Sequence, residues 1–124
     1  MPIPILKQGN VLIASMQSSS TDKELVQLRD DLATKIGQFR SRGVVIDVSV
    51  MDVMDSLATR TLRGIAETAK LRGAEAVIVG IQPEVAFAMV QLGLDLDSVT
   101  TALDLDEGME LLSAQARTGG RRGA

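Results

Sequence analysis

The stretch Val44-Val45-Ile46-Asp47-Val48, then Ser49-Val50-Met51-Asp52-Val53-Met54-Asp55, then Ser56-Leu57-Ala58-Thr59-Arg60-Thr61-Leu62, decides the fold. Its first part is β-branched and almost continuously apolar, the pattern of a strand buried on both faces of a sheet. Its last part opens a helix at Ser56. Apolar residues then recur at three- and four-residue steps through Ala58, Leu62, Ile65, Ala66 and Ala69, and Gly73 ends the run. A doubly buried strand followed by an amphipathic helix is the unit of an α/β domain with a parallel sheet.

The alternation continues on both sides. Upstream, Ile3 to Lys7 and Val11 to Met16 read as two strands joined by the turn residues Gln8-Gly9-Asn10. Ser19, Ser20, Thr21 and Asp22 offer N-caps to a helix with the stripe Leu25, Leu28, Leu32, Ile36, Phe39, stopped by Gly43. Downstream come the strand Ala76 to Val79 and a helix with Pro83 at its first position and Gly93 past its end. A strand near Thr100 to Leu103 and a helix over Met109, Leu112 and Ala116 complete the order ββαβαβαβα. The expected sheet has four to five strands, mostly parallel, with an antiparallel first strand. One domain over residues 1–116 and a disordered, Gly-rich basic tail over 117–124 are expected for a chain of 124 residues.

Composition narrows the chemistry. The chain has no Cys, His, Trp or Tyr, so Ser-His-Asp triads, thiol nucleophiles and Cys/His zinc sites are excluded. Residues 1–116 hold ten basic against sixteen acidic side chains, a net −6, and the two Phe are the sole aromatics. Neither feature suits nucleic acid. No run approaches a membrane span and no signal peptide opens the chain, so a cytoplasmic protein without membrane contact is expected. The sequence contains no Gly-x-Gly-x-x-Gly and no P-loop, and the acidic pair and late lysine of a phosphoacceptor receiver are missing. No cofactor or metal is expected.

In α/β sheets, function gathers where strands hand over to helices. The richest such place here is residues 50–57, with Asp52, Asp55 and Ser56. On local pattern Ser56 reads first as a helix N-cap accepting the Thr59 amide; the sharper reading is an exposed hydroxyl that another enzyme can phosphorylate. Asp52 and Asp55 read as a solvated carboxylate pair. Arg60, Arg63, Glu67 and Lys70 form a charged stripe in which Arg60, one turn after Ser56, is placed to meet a phosphate. The helix Glu84 to Leu92 is apolar nearly all round: Val85, Ala88, Met89 and Leu92 on one face, Phe87, Val90 and Leu94 toward another. Either it is deeply buried or Phe87 and Val90 form a protein-binding patch.

The order of elements, with Asp55-Ser56-Leu57-Ala58-Thr59-Arg60-Thr61-Leu62, resembles the STAS-domain family at its phosphorylatable serine. Leu71-Arg72-Gly73-Ala74, Gly80-Ile81-Gln82-Pro83-Glu84-Val85-Ala86 and Leu92-Gly93-Leu94 are similar to the RsbS-type and RsbR-type stressosome members of that family. The resemblance runs to about Ala116, and the serine together with the lack of an extra N-terminal sensory domain favours the RsbS type. It implies a non-enzymatic scaffold that assembles with itself and with RsbR-like paralogues. Such a scaffold sequesters an RsbT-type serine kinase and releases it, toward a stress-response sigma-factor pathway, when Ser56 is phosphorylated; an RsbX-type phosphatase resets the site. Thr59 is a secondary candidate for phosphate, and Asp52, Asp55, Leu57, Arg60, Phe87 and Val90 are the expected partner contacts. The alternative on the same fold is a stand-alone anti-sigma-factor antagonist controlled through the same serine.

Overall fold

The computed structural model describes residues 3–94 and 99–122, with side chains described through Ala114. The elements are β1 (Ile5–Gln8), β2 (Val11–Ser15), α1 (Asp22–Phe39), β3 (Gly43–Asp47), α2 (Ser56–Leu71), β4 (Glu75–Val79), α3 (Pro83–Gln91), β5 (Thr100–Ala102) and α4 (Leu105–Arg122). The five strands lie in the order β1-β2-β3-β4-β5. The hairpin β1–β2 is antiparallel and every other pair is parallel, as expected.

Register explains why β3 is apolar from Val44 to Ile46. Leu12, Val44 and Ala76 lie side by side, as do Ala14, Ile46 and Ile78. These face the main core with Leu25, Leu28, Leu32 and Ile36 of α1, Ala58, Leu62, Ile65 and Ala69 of α2, and Val85 and Met89 of α3. Successive strand residues point to opposite faces. Val11, Val45, Val77 and Val79 therefore meet Leu112 of α4 on the other side. Both faces are covered, so strand positions of either parity must be apolar.

Several local expectations shift. The first helix ends at Phe39, and the reversal is made by Arg40 in a left-handed conformation, φ 51°. Gly43 does not stop that helix. It opens β3, where a Cβ would lie 2.7 Å from Leu112 Cδ1, so glycine there lets α4 approach the sheet. Phe39 is not core: it is 38% exposed, with the Lys7 and Lys35 ammonium groups each 5.6 Å from its ring centroid. At the start of α1, Thr21 is the cap among the four candidates, and Thr21 and Glu24 form a reciprocal capping box. Of the tail expected at 117–124, residues 117–122 carry the backbone of α4, and no side chain beyond Ala114 is described.

A left-handed non-glycine residue costs about 1 kcal/mol that glycine does not. Arg40→Gly should therefore stabilise the domain by about 1 kcal/mol, read as a higher urea midpoint at unchanged slope.

Candidate functional site

Three loops meet at the carboxyl-terminal edge of the parallel strands: residues 16–21 after β2, 48–55 after β3 and 80–82 after β4. The middle loop is pinned where it leaves β3. Asp47 accepts the Ser49 amide at its side-chain oxygen (2.8 Å), and the Val48 amide donates to the Val79 carbonyl (3.0 Å). Its methionines anchor it: Met51 and Met54 are buried in the main core while Val50 and Val53 stand 59% and 65% exposed between and beside them.

Each neighbouring loop adds a brace. Ser18 Oγ donates to Asp52 Oδ1 (2.8 Å) and accepts the Asp52 amide (3.1 Å). From the other side, Gln82 Nε2 donates to the Ser49 carbonyl (2.8 Å). Gly80 sits at φ +77°, and a Cβ there would lie 2.6 Å from Ser49 Cβ and 3.1 Å from its Cα. The Gly80-Ile81-Gln82-Pro83 block thus has three jobs: close approach to the middle loop, a hydrogen bond to it, and Pro83 opening α3 at its first turn.

The cap of α2 is Asp55, not Ser56. The Asp55 side chain accepts the Ala58 amide at 2.7 Å, in extended geometry with φ −96° and ψ 179°. Ser56 is then the first helical residue, exposed, and among the described residues no hydrogen bond engages its hydroxyl. Its position faces the unpaired amides and positive dipole end of α2, which favour an anion. Thr59 behaves otherwise. It is fully buried and its Oγ1 donates to the Asp55 carbonyl (2.9 Å), so the expected secondary site has no accessible hydroxyl in the folded domain. Thr61 is likewise buried and bonded to the Leu57 carbonyl (2.8 Å).

The remaining expected contacts divide between two adjacent helices. Asp52, Asp55 and Arg60 are exposed around Ser56, and Leu57 is half-buried. Of the stripe on α2, Arg63 turns aside to donate to the Gly93 carbonyl (2.7 Å), tying α2 to the end of α3. Helix α3 buries Val85 and Met89 but leaves Phe87 74% and Val90 56% exposed, so it is not the deeply buried helix of the first reading. Leu92 and Leu94 exchange the faces expected of them. The helix ends at Gln91 and the chain reverses through Gly93, so Leu94 returns to the core and Leu92 turns outward. Sequence reading missed Ser18, Val50, Val53 and Gln82. Only the Met-Asp-Val-Met spacing, with methionines three apart, hinted that Val50 and Val53 would be left outside. Among the described residues no cluster of three or more ligating side chains could hold a metal ion, and no helix is long and apolar enough to cross a membrane.

A family model for the STAS domain matches residues 3–108, nearly the whole described fold. The chain belongs to the STAS domain family. Among solved structures, a variant of RsbS from Moorella thermoacetica superposes with a TM-score of 0.86 at 35% identity, over 93% of this chain and 97% of that one. A chain from the stressosome architecture, described as a signal integration and transduction hub, gives 0.83 at 36%, over 92% and 99%. The RsbT co-antagonist protein RsbRA of Bacillus subtilis is 27% identical over 108 residues, 87% of this chain but 39% of that protein, so the STAS chain spans well under half of that relative. The anti-sigma factor antagonist SpoIIAA shares the fold, with a TM-score of 0.66 at 13% identity, over 95% of this chain and 98% of that one. The fold is therefore that of stressosome components, with the first strand antiparallel as in the sheet described above.

Proposed function

We propose that this STAS chain is a non-enzymatic stressosome scaffold. It assembles with copies of itself and with RsbR-like paralogues, holds an RsbT-type serine kinase, and releases that kinase when Ser56 is phosphorylated. The released kinase acts on a stress-response sigma-factor pathway and an RsbX-type phosphatase resets the site. The observation that carries this reading is the exposed, unbonded hydroxyl of Ser56 at the first position of α2, in a chain alike over nearly its full length to RsbS. Phosphate would add about −1.5 to −2 charge. Asp52 and Asp55 stand beside it, so the helix end tolerates the anion while the surrounding surface turns strongly repulsive to an acidic or apolar partner.

Assembly is tested by mixing the chain with an RsbR-like partner and measuring particle mass by sedimentation. A large mixed particle is expected. A chain that stays monomeric and binds an anti-sigma factor instead would favour the stand-alone antagonist. Phe87→Asp should weaken the particle strongly and leave the melting temperature of the isolated domain nearly unchanged, because the ring is 74% exposed.

A further inference from the structure

On α2 an exposed serine and an exposed arginine stand one helical turn apart, at Ser56 and Arg60. Among the described residues the Arg60 guanidinium makes no hydrogen bond and no ion pair. Its neighbours three and four residues away along the helix are Ser56, Leu57, Arg63 and Gly64, so α2 itself offers it no carboxylate. The two carboxylates just before the helix are engaged elsewhere: Asp55 accepts the Ala58 amide at 2.7 Å, and Asp52 accepts the Ser18 hydroxyl at 2.8 Å. Arg63 is committed as well, donating to the Gly93 carbonyl at 2.7 Å. Cα–Cβ bonds in an α-helix tilt toward its N-terminus, and Cβ atoms four residues apart lie about 5–6 Å from each other. Arg60 is therefore built to lean over the turn that begins with Ser56.

We propose that Arg60 is the internal counter-ion of a phosphate on Ser56, and that its capture is part of how modification changes the partner-facing surface. The inference rests on the reading of Ser56 as the modified residue. A phosphate ester there presents three acceptor oxygens to a forked guanidinium one turn away, and the hydrogen bonds between them are charge-assisted at both ends. Nothing on α2 competes for the arginine, because its other near neighbours are an apolar residue, a cation and a glycine. Two changes then reach a bound partner together. The surface gains about −1.5 to −2 charge, and the exposed cation beside Ser56 is withdrawn into a pair within the chain. A partner that had placed an acidic group against Arg60 loses that contact as it meets the new anion.

The test installs phosphoserine at position 56 during synthesis of the full chain. No kinase is needed, so a failure of the kinase reading is not mistaken for a failure of this pairing. Phosphorus NMR then follows the second ionisation of the phosphate, whose ordinary pKa is about 6. Arg60→Gln should raise that pKa by about 0.3 or more above the phosphorylated parent, since the dianion loses its counter-ion. Arg60→Lys should recover part of the shift, and Lys70→Gln, in the last turn of α2, should leave the value unchanged. In about 1 M salt the difference between the parent and Arg60→Gln should shrink. Without phosphate, Arg60→Gln should have the urea midpoint of the parent; with phosphate, it should fall below it. The proposal is overturned if Arg60→Gln titrates as the parent does or if Lys70→Gln moves the pKa as far as Arg60→Gln. It is also overturned if Arg60→Gln lowers the midpoint of the unphosphorylated chain as much as that of the phosphorylated one.

Discussion

Replacing Gly80 by valine should destabilise the domain by about 3 kcal/mol or more, a large fraction of the 5–15 kcal/mol that holds a typical domain together. Two costs combine. A β-branched residue is forced to φ +77°, and its Cβ meets the Ser49 side chain at 2.6 Å and the Ser49 backbone at 3.1–3.2 Å. Because backbone cannot swing aside as a side-chain tip can, the 48–55 loop must move, and with it the start of α2. Gly9 provides the control: it has a similar φ of +61° but nothing within 4 Å of an added Cβ. Gly9→Val should carry the conformational cost alone, so the difference between the two urea midpoints reads the clash. Equal losses would show that Gly80 does not brace the loop.

Much of the architecture was legible in the residues, and the reason is the double burial of β3. A strand that must be apolar on both faces, as at Val44, Val45 and Ile46, followed by an amphipathic helix with a stop at Gly73, leaves little choice but a parallel α/β sheet. The Asp55–Ser56 junction was legible too, because polar residues at a strand-to-helix handover are few. What misled were features set by tertiary contact. Gly43 looks like a helix stop by its local pattern, yet its role comes from Leu112, 69 residues away in the chain. Phe39 continues the α1 stripe, yet the helix turns off at Arg40 and leaves the ring outside. The cap slipped by one residue because Asp and Ser are equally good caps. Thr59 looked like a free hydroxyl because threonine burial depends on what α2 packs against.

Ser56→Ala should abolish phosphate incorporation by an RsbT-type kinase, as read by mass spectrometry of the intact chain and its peptides, while shifting stability by less than about 0.5 kcal/mol. The second half follows from the capping geometry. The Ser56 side chain carries no hydrogen bond among the described residues, whereas Asp55 accepts the Ala58 amide at 2.7 Å. Asp55→Ala should therefore lower stability by about 1 kcal/mol. The opposite ranking, with Ser56→Ala the more destabilising, would return the cap to Ser56. Phosphate on Thr59 of the folded domain is not expected, since its hydroxyl is buried and bonded to the Asp55 carbonyl.

The central claim is that this STAS surface holds a kinase and lets it go on modification of one serine. It is tested most directly by sedimenting an RsbT-type kinase with the chain assembled on an RsbR-like partner, before and after ATP is added, for the parent and for Ser56→Ala. The kinase should travel with the assembly without ATP, leave it after ATP in the parent, and stay bound after ATP in Ser56→Ala. Release from Ser56→Ala to the same extent as from the parent, or a kinase that never joins the assembly, would contradict the account.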